Sequence, residues 1–359
     1  MEQVDVLIIA ALKEEFEAAK AAVPDWTSGG SGGVYPFLRG SLECADGRRL
    51  SLALARPIRM SGRHAGPIAA ELSAQLRPGC LAMPGVCAGN PSAVALGDVV
   101  VAEMTYEYDE GRLSEHGFTG DHRQYKLDDQ WIRAADDFDP TGLPSWGPAS
   151  RDESATWLLE RLYLGQEPTK HPALPRYVPR EMWPSLAETL ESEGLVVRDH
   201  PSWKLTDLGR RHIERIHYDD VYGPEQLPYA VTVAPMASGS YVAQDGASWA
   251  RLATAGVRTV AGLDMEAATI ATVAAAQRVP WLVAKGVMDY ADPAKEDRYK
   301  RFAARASAEV LYALLDRLAE PAPDTDSPRA GSATRNTTNA GGVQGIQIGE
   351  HNVQQNTFG

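Results

Sequence analysis

The sequence predicts an α/β fold in which a mixed central sheet is covered by helices on both faces. Residues 4–11 form a continuous apolar run, which is the pattern of a central strand buried on both sides. Further short apolar segments follow, and alanine-rich stretches with helical spacing lie between them. Strands that alternate with helices are typical of a mixed or parallel sheet on which helices pack.

The predicted elements follow one another in that order. A helix begins directly after the first strand, at Leu12, because apolar residues recur there at helical spacing. Later strands are predicted at residues 50–55, 80–83, 98–103, 230–234, 259–261 and 281–284. Later helices are predicted at residues 64–75, 249–255, 267–277 and 301–318. Together they indicate one discontinuous domain, residues 1–138 and 221–319.

The alternation stops between residues 139 and 220, in a segment rich in proline and tryptophan. Two helices are predicted there, at 153–164 and 179–193, followed by a short strand pair and a turn at 205–209. This order resembles a winged-helix unit, which binds DNA in some proteins and contacts other proteins in others. Arginines at 210, 211 and 215 are partly offset by acidic neighbours, so we expect an insertion used for packing or oligomer contacts.

Composition and charge disfavour several classes of protein. The formal net charge of the 359 residues is −13, which argues against nonspecific binding to nucleic acid or to an anionic membrane. No apolar run reaches the roughly 18 residues of a membrane span. The three cysteines, Cys44, Cys80 and Cys87, lack metal-ligand spacing. We therefore expect a cytoplasmic protein with reduced thiols, no metal and no cofactor.

Two acidic residues lie where such a fold binds ligands. Glu266 lies at a predicted helix start, and Asp289 lies just past a buried strand. Ligands of open α/β sheets bind in the crevice at the carboxyl ends of the strands. One carboxylate that binds sugar hydroxyls and another that protonates a leaving group would fit this crevice. The structural alternatives are a helix cap at Asp289 and a helix-start acid at Glu266.

Five stretches, taken in order, resemble the nucleoside phosphorylase superfamily and in particular its methylthioadenosine/S-adenosylhomocysteine nucleosidase branch. They are residues 8–16 (IIAALKEEF), 83–89 (MPGVCAG), 96–102 (LGDVVVA), 264–269 (DMEAAT) and 287–292 (VMDYAD). The match covers about residues 4–135 and 225–318 and leaves out the insertion and the tail. The resemblance implies a purine nucleosidase that hydrolyses the N-glycosidic bond of an adenine-type nucleoside or nucleotide, and a homo-oligomer.

The resemblance also implies roles in the reaction. Asp289 would donate a proton or a hydrogen bond to the leaving purine, and burial stabilises the protonated form of a carboxyl group. Glu266 would accept hydrogen bonds from the ribose hydroxyls, while Met265 would pack on the sugar face or, alternatively, only in the core. Glu15 would orient the attacking water, and Glu14 is the alternative if the register shifts by one residue.

Substrate contacts are expected from five further residues. Tyr241 would stack on the base, and Val242 would contact the purine edge through its backbone. Ala88 and Gly89 belong to a turn at residues 84–90 that lacks the serine of the family pattern. Arg63 lies in a basic stretch, and because arginine suits phosphate oxygens, a nucleotide such as ATP, dATP or NAD is an alternative substrate.

Three alternatives to a nucleosidase stay open at this point. The first is a phosphorylase, although residues 10–13 lack the glycine and arginine with which phosphorylases, by resemblance, hold phosphate. The second is a non-catalytic scaffold that only binds a nucleoside. The third is a winged-helix transcription factor, which the acidic net charge disfavours.

The chain changes character after residue 319. Residues 320–341 are rich in proline, serine, threonine and asparagine, which predicts a disordered, flexible linker. In the tail, residues 342–359, the core Ile346-Gln347-Ile348-Gly349 resembles the RHIM-type amyloid signalling motif. Such segments stack in register into fibrils. The resemblance implies a defence effector recruited by a receptor or adaptor with a matching motif, and an unstructured polar C-terminus is the alternative.

Overall fold

The computed structural model describes residues 3–29, 35–115, 117–121, 123–199, 202–220, 222–241, 248–254, 259–292 and 297–319. All of them belong to one compact unit, Met1–Ala322. The predicted linker, the predicted RHIM-type motif and Val242 lie outside the described residues. Within the described ranges, every helix is too short or too polar to cross a lipid bilayer.

The described residues form strands and α-helices in an alternating order. The strands are β1 (Val6–Ile9), β2 (Thr27–Gly29), β3 (Phe37–Glu43), β4 (Arg49–Ala55), β5 (Cys80–Gly89), β6 (Val99–Glu107), β7 (Gly111–Ser114), β8 (Gly117–Gly120), β9 (Tyr125–Lys126), β10 (Val196–Asp199), β11 (Ser202–Leu205), β12 (Val231–Ser238), β13 (Gly262–Asp264) and β14 (Trp281–Asp289). The helices are α1 (Lys13–Ala21), α2 (Gly62–Leu76), α3 (Asp129–Asp136), α4 (Arg151–Tyr163), α5 (Leu174–Tyr177), α6 (Trp183–Ser192), α7 (Asp207–Asp219), α8 (Ser248–Thr254), α9 (Ala267–Gln277) and α10 (Lys300–Leu318).

The central sheet is mixed, as the sequence predicted. Its strands are ordered β13-β12-β6-β14-β5-β1-β4-β3-β2, and β9 pairs with β6. Strands β4, β1, β5 and β14 run parallel to one another, whereas β6 runs antiparallel to β14. Because β13 pairs with both β12 and β5, the strands β13, β12, β6, β14 and β5 close into a ring. This closure was not predicted.

Two helix pairs cover the sheet. Helix α1 packs against α10, which lies on β14 and β5, and helix α2 packs against α9, which lies on β6 and β5. Strands β1 and β14 are buried along their whole lengths, which explains their apolar sequences. The carboxyl ends of the parallel strands β1, β5 and β14 meet at one edge of the sheet, so the residues at and beyond these ends surround a common space.

The insertion contains the elements that were predicted for it. Helices α4 and α6 correspond to the predicted helices, and β10 pairs with β11 in an antiparallel hairpin. Thr206 caps α7 by accepting a hydrogen bond from the backbone N–H of Gly209, which explains the turn at residues 205–209. Arg176 donates two hydrogen bonds, of 2.7 and 3.0 Å, to the buried carboxylate of Asp98, and so ties the insertion to the sheet domain.

One predicted strand is misplaced, and several elements were missed. The strand predicted at residues 259–261 lies at Gly262–Asp264, and the carbonyls of Val260 and Ala261 accept hydrogen bonds from the side-chain amide and the backbone N–H of Asn90. Strands β2 and β3, the β7–β8 hairpin and α3 were not predicted. Most residues of β3 are only partly buried, so its sequence lacks the continuous apolar run by which the other strands were predicted.

Candidate active site

A cavity of about 320 Å³ lies at the edge of the sheet where β1, β5 and β14 end. Six of the residues that the sequence predicted for substrate binding or catalysis line it, namely Glu15, Ala88, Tyr241, Met265, Glu266 and Asp289. They come from five separate stretches of the chain. The fold therefore brings together most of the residues that the sequence analysis selected one motif at a time.

Glu15 is held in the cavity wall by two backbone hydrogen bonds. It lies in the first turn of α1 and is only 2% exposed. One carboxylate oxygen accepts a hydrogen bond from the N–H of Leu12 at 2.8 Å, and the other accepts one from the N–H of Val86 in β5 at 2.9 Å. Glu14 points elsewhere, toward Lys300, with 3.4 Å between Oε1 and Nζ. The register of the sequence motif thus places Glu15, and not Glu14, against Val86.

Glu266 does not act as a helix cap. It occupies the N-cap position of α9, but its side chain makes no capping bond and instead accepts a hydrogen bond from the N–H of Ser61 at 2.6 Å. Asp264 takes over the capping function, because its carboxylate accepts hydrogen bonds from the N–H of Ala267 and from the hydroxyl of Ser238. The carboxylate of Glu266 is therefore directed toward the interior of the site.

A buried lysine, which the sequence analysis missed, lies between these carboxylates. Lys285 is fully buried, and its Nζ lies 3.4 Å from Asp264 Oδ2 and 3.8 Å from Glu266 Oε2. Burial alone would favour loss of the proton. The nearby negative charges have the larger combined effect and raise the pKa of Lys285, so the amine stays charged; they belong to Asp264, Glu15 and Glu266. The ammonium group makes no hydrogen bond to the described residues, so its contribution to the site is that of a positive charge.

The ionisation of Glu266 is poised near neutral pH. Burial raises the pKa of Glu266 to about 7, and the negative charges of Asp264 and Glu15 act in the same direction, against the opposing charge of Lys285. Glu266 is thus partly protonated at neutral pH in the free protein. Hydroxyl groups that donate hydrogen bonds to this carboxylate would favour its ionised form.

Asp289 is placed by an irregularity at the end of β14. The pairing of β14 with β5 shifts register between Val287 and Asp289, and such a bulge re-aims the side chains beside it. Asp289 is 7% exposed, and one of its oxygens accepts a hydrogen bond from the N–H of Ala291. Helix α10 begins only at Lys300, so Asp289 does not cap that helix. Its carboxyl group belongs to the cavity.

The remaining walls of the cavity are apolar or aromatic. Met265 and Met288 line it beside the acidic residues. Tyr241 is half exposed and lies edge-on to Tyr108, with 5.7 Å between the ring centroids. A flat apolar group such as a purine can be held between a half-exposed aromatic ring and methionine side chains.

Two predicted residues lie apart from this cavity. Arg63 is exposed and lines a second cavity, of about 880 Å³, that shares only Met265 with the first. Gly89 ends strand β5, where the sequence predicted a turn, and does not line the first cavity; a Cβ placed there would be 2.4 Å from Val287 Cγ1. The contributions of Arg63 and Gly89 to substrate binding stay predictions. Among the described residues, no group of three or more His, Cys, Asp and Glu side chains is arranged to hold a metal ion.

Comparison with protein sequences finds a distant relative of unknown function. No family model matches the chain. An uncharacterized protein of Sinorhizobium fredii is 25% identical over 328 residues, which cover 88% of this chain and 62% of the relative. The chain thus spans less than two thirds of the length of that relative.

Comparison with solved structures finds chains of the same fold. The methylthioadenosine/S-adenosylhomocysteine nucleosidase of Neisseria meningitidis superposes with a TM-score of 0.53 at 17% identity, covering 87% of this chain and 99% of its own. The S-adenosylhomocysteine nucleosidase of Streptococcus pyogenes gives 0.54 at 16% identity, covering 89% and 98%. The futalosine hydrolase of Helicobacter pylori gives 0.53 at 14% identity, covering 87% and 97%. At these identities the likeness shows a common fold.

Proposed function

We propose that this chain is a purine nucleosidase, which hydrolyses the N-glycosidic bond of an adenine-type nucleoside or nucleotide. The observation that carries the proposal is the convergence of Glu15, Glu266 and Asp289 on one cavity from three distant segments. Hydrolysis of this bond needs a group for the leaving base, a group for the ribose and a group for the attacking water. The names of the fold neighbours, nucleosidases and a futalosine hydrolase, agree with this reaction.

Each carboxyl group fits one of these tasks. Asp289, at the end of β14, donates a proton or hydrogen bond to the departing purine. Glu266 accepts hydrogen bonds from ribose hydroxyls, and Met265 packs against the sugar. Glu15 has both oxygens fixed by backbone N–H groups and keeps further lone pairs with which to accept a hydrogen bond from water. Positive charge that develops on the ribose is stabilised by the surrounding carboxylates.

The charges around the cavity favour water over phosphate as the attacking group. Among the described residues, the cavity lining contains one cation, Lys300, and the buried Lys285 beside it adds a second. The acidic side chains of the lining outnumber these two, and they are Glu15, Asp264, Glu266, Asp289 and Asp297. A phosphate dianion next to Glu15 would meet this excess negative charge in a poorly solvated place. No arginine lines the cavity within the part of the chain that the structure describes. This agrees with the prediction of hydrolysis from the first loop.

The proposal is tested by release of free base from purified protein. Adenosine, methylthioadenosine, ATP and NAD are each incubated with and without phosphate, and free base, ribose and ribose 1-phosphate are separated by chromatography. Asp289→Asn should lower base release from the preferred substrate about 100-fold or more. The surface variant Asp129→Asn, which loses an exposed carboxylate outside the cavity lining, is the control. Absence of free base from every substrate would refute the proposal, and ribose 1-phosphate would indicate a phosphorylase.

The C-terminal tail supports a further proposal about recruitment. Its Ile346-Gln347-Ile348-Gly349 core has the composition of segments that stack into cross-β fibrils. We propose that this tail brings the enzyme to a receptor or adaptor that carries a matching motif. Full-length protein should then form fibrils that bind thioflavin T, and Ile348→Lys should abolish them because a charge cannot be buried in a dry interface. Fibril formation that is unchanged in the variant would contradict this assignment.

A further inference from the structure

Two neighbouring residues of the insertion, Glu160 and Arg161 in α4, make buried polar contacts with the segments on either side of residues 293–296. We infer that Arg161 is a positioning residue for Asp289, acting through Tyr290, and that the insertion supports the candidate site through this residue. This inference rests on the proposed function, because it assigns Asp289 the role of the general acid. The insertion is thus more than an appended module.

Arg161 reaches out of the insertion into the sheet domain. It is fully buried, and its Nη1 donates a hydrogen bond of 2.6 Å to the hydroxyl oxygen of Tyr290. Its guanidinium carbon also lies 4.9 Å from the centre of the Tyr290 ring, which adds a cation–π contact. Within 4.0 Å of its guanidinium nitrogens there is no carboxylate among the described residues, so Tyr290 is its main partner across the two parts of the chain.

Tyr290 is covalently attached to Asp289 and is fixed on three sides. Its hydroxyl group contacts Arg161 and donates a hydrogen bond to the carbonyl of Val94, while its own carbonyl accepts one from the indole N–H of Trp249. The next residue, Ala291, has a φ of 56°, which is unfavourable for a residue with a Cβ. A strained backbone conformation persists only when surrounding contacts hold it, and the buried hydrogen bond from Arg161 to Tyr290 is one of these contacts.

Glu160 holds the segment that follows residues 293–296, again through buried hydrogen bonds. Its buried carboxylate accepts hydrogen bonds from Arg298 at 2.9 Å and from the Tyr299 hydroxyl at 3.2 Å, and it lies 3.3 Å from His217 of α7. The residues next to this pair, Asp297 and Lys300, line the cavity that contains Asp289. Consecutive residues of one inserted helix therefore contact both flanks of the same cavity wall.

A small space between α4 and this wall supports a direct connection. A cavity of about 50 Å³ is lined by Glu160, Arg161, Asp289 and Tyr290, among others. The Nε and Nη2 atoms of Arg161 are buried and have no hydrogen-bond partner among the described residues. The space is large enough for ordered water, which such polar groups require. Asp289 thus lines the proposed substrate cavity and also the small cavity that it shares with Glu160 and Arg161 of the insertion.

Loss of the guanidinium should therefore misplace the acid without emptying the substrate cavity. Arg161→Met keeps the aliphatic part of the side chain and removes the bond to Tyr290. Because small displacements of a catalytic group lower rates by one to two orders of magnitude, we expect kcat to fall about 10- to 100-fold with KM changed less than about threefold. Tyr290→Phe should give a similar loss, and the double variant should be no slower than the slower single variant.

The experiment compares Arg161→Met with Arg151→Met and Arg161→Lys. Arg151 lies on the same helix, but among the described residues its side chain bonds to Ser185 and Thr189 of the insertion, so its variant should keep wild-type kcat. Arg161→Lys keeps the charge and should recover part of the lost rate. Hydrogen exchange at residues 288–292 should increase in Arg161→Met and stay unchanged in Arg151→Met.

A second substrate separates positioning of the acid from general damage. A nitrophenyl riboside carries a leaving group that needs no proton, so Arg161→Met should hydrolyse it at close to the wild-type rate. Equal losses on both substrates, equal losses in the Arg151 and Arg161 variants, or unchanged exchange at 288–292 would each overturn the inference. If the wild-type protein cleaves no substrate, the proposed function fails, and the exchange measurement alone then decides whether Arg161 positions the segment.

Discussion

The raised pKa of Glu266 makes the stability of the protein depend on pH in a direction that can be worked out. In the folded protein burial raises this pKa to about 7, whereas a solvated glutamate has the ordinary value of 4.5. Folding therefore takes up a proton between these values. The stability that Glu266 contributes is fully present below about pH 4.5 and is lost as the pH rises through about 7. The whole difference corresponds to about 3 kcal/mol of unfolding free energy.

Replacement of Glu266 by glutamine isolates this effect. The amide oxygen can still accept the hydrogen bond from Ser61, but the side chain has no ionisation to be penalised. The unfolding free energy of Glu266→Gln relative to wild type should therefore rise by about 2 to 3 kcal/mol from about pH 5 to about pH 8. Urea unfolding of both proteins across this range measures the difference, and any constant packing cost cancels.

A surface variant is the control for the lost negative charge. Glu71→Gln, on the exposed side of α2, should differ from wild type by an amount that varies less than about 0.5 kcal/mol over the same range, because exposed charges interact weakly. If the Glu266→Gln difference is as flat as that of the control, Glu266 is not desolvated against Asp264 and Glu15, and the electrostatic description of the site is wrong.

Three further predictions concern the same cavity. In wild type, kcat/KM for base release should rise with pH through about 7, since Glu266 accepts ribose hydroxyls best when ionised, and a flat profile between about pH 6 and about pH 8 would contradict this. Lys285→Met should lower the unfolding free energy in urea by about 3 to 5 kcal/mol at about pH 8, because Asp264 and Glu266 lose their buried cation, and a loss below about 1 kcal/mol would show that the charges are solvated. Gly85→Ala places a Cβ 2.6 Å from Glu15 Oε1, so kcat should fall about tenfold for a folding cost of about 1 to 3 kcal/mol, and unchanged kcat would argue against Glu15 as the residue that orients water.

The sequence located residues whose positions follow from the ends of secondary structure elements. Asp289 and Glu266 were found because one ends a buried strand and the other begins a helix, and both features can be recognised along the chain. Lys285 was missed because the strand was predicted to end at residue 284, where the apolar run stops. The strand continues to Asp289, and the lysine is buried only because three carboxylates from other segments surround it. Such compensation between distant segments has no local pattern.

Side-chain direction accounts for the predicted residues that do not line the cavity. Ala88 and Gly89 are neighbours in β5, and because successive residues of a strand face opposite sides, Ala88 lines the cavity while Gly89 packs against Val287. Arg63 lies in the first turn of α2 and lines the second cavity. Gly89 was selected as part of a motif and Arg63 as part of a basic stretch, whereas the face that each presents depends on the register of the folded sheet and helix.

The same charges connect the stability of the fold with the proposed chemistry. Glu15, Asp264 and Glu266 are buried around one lysine, so ionisation of all three leaves an excess of negative charge, and part of the resulting cost is avoided by protonation of Glu266. A neutral nucleoside adds no charge of its own to this balance. In the proposed reaction, a ribosyl group gains positive charge as its bond to the base breaks. This charge would offset the excess negative charge of the carboxylates. In the proposed reaction the cluster would therefore stabilise the transition state more than the bound substrate, which is the condition for catalysis, and it would disfavour an anionic co-substrate for the same reason.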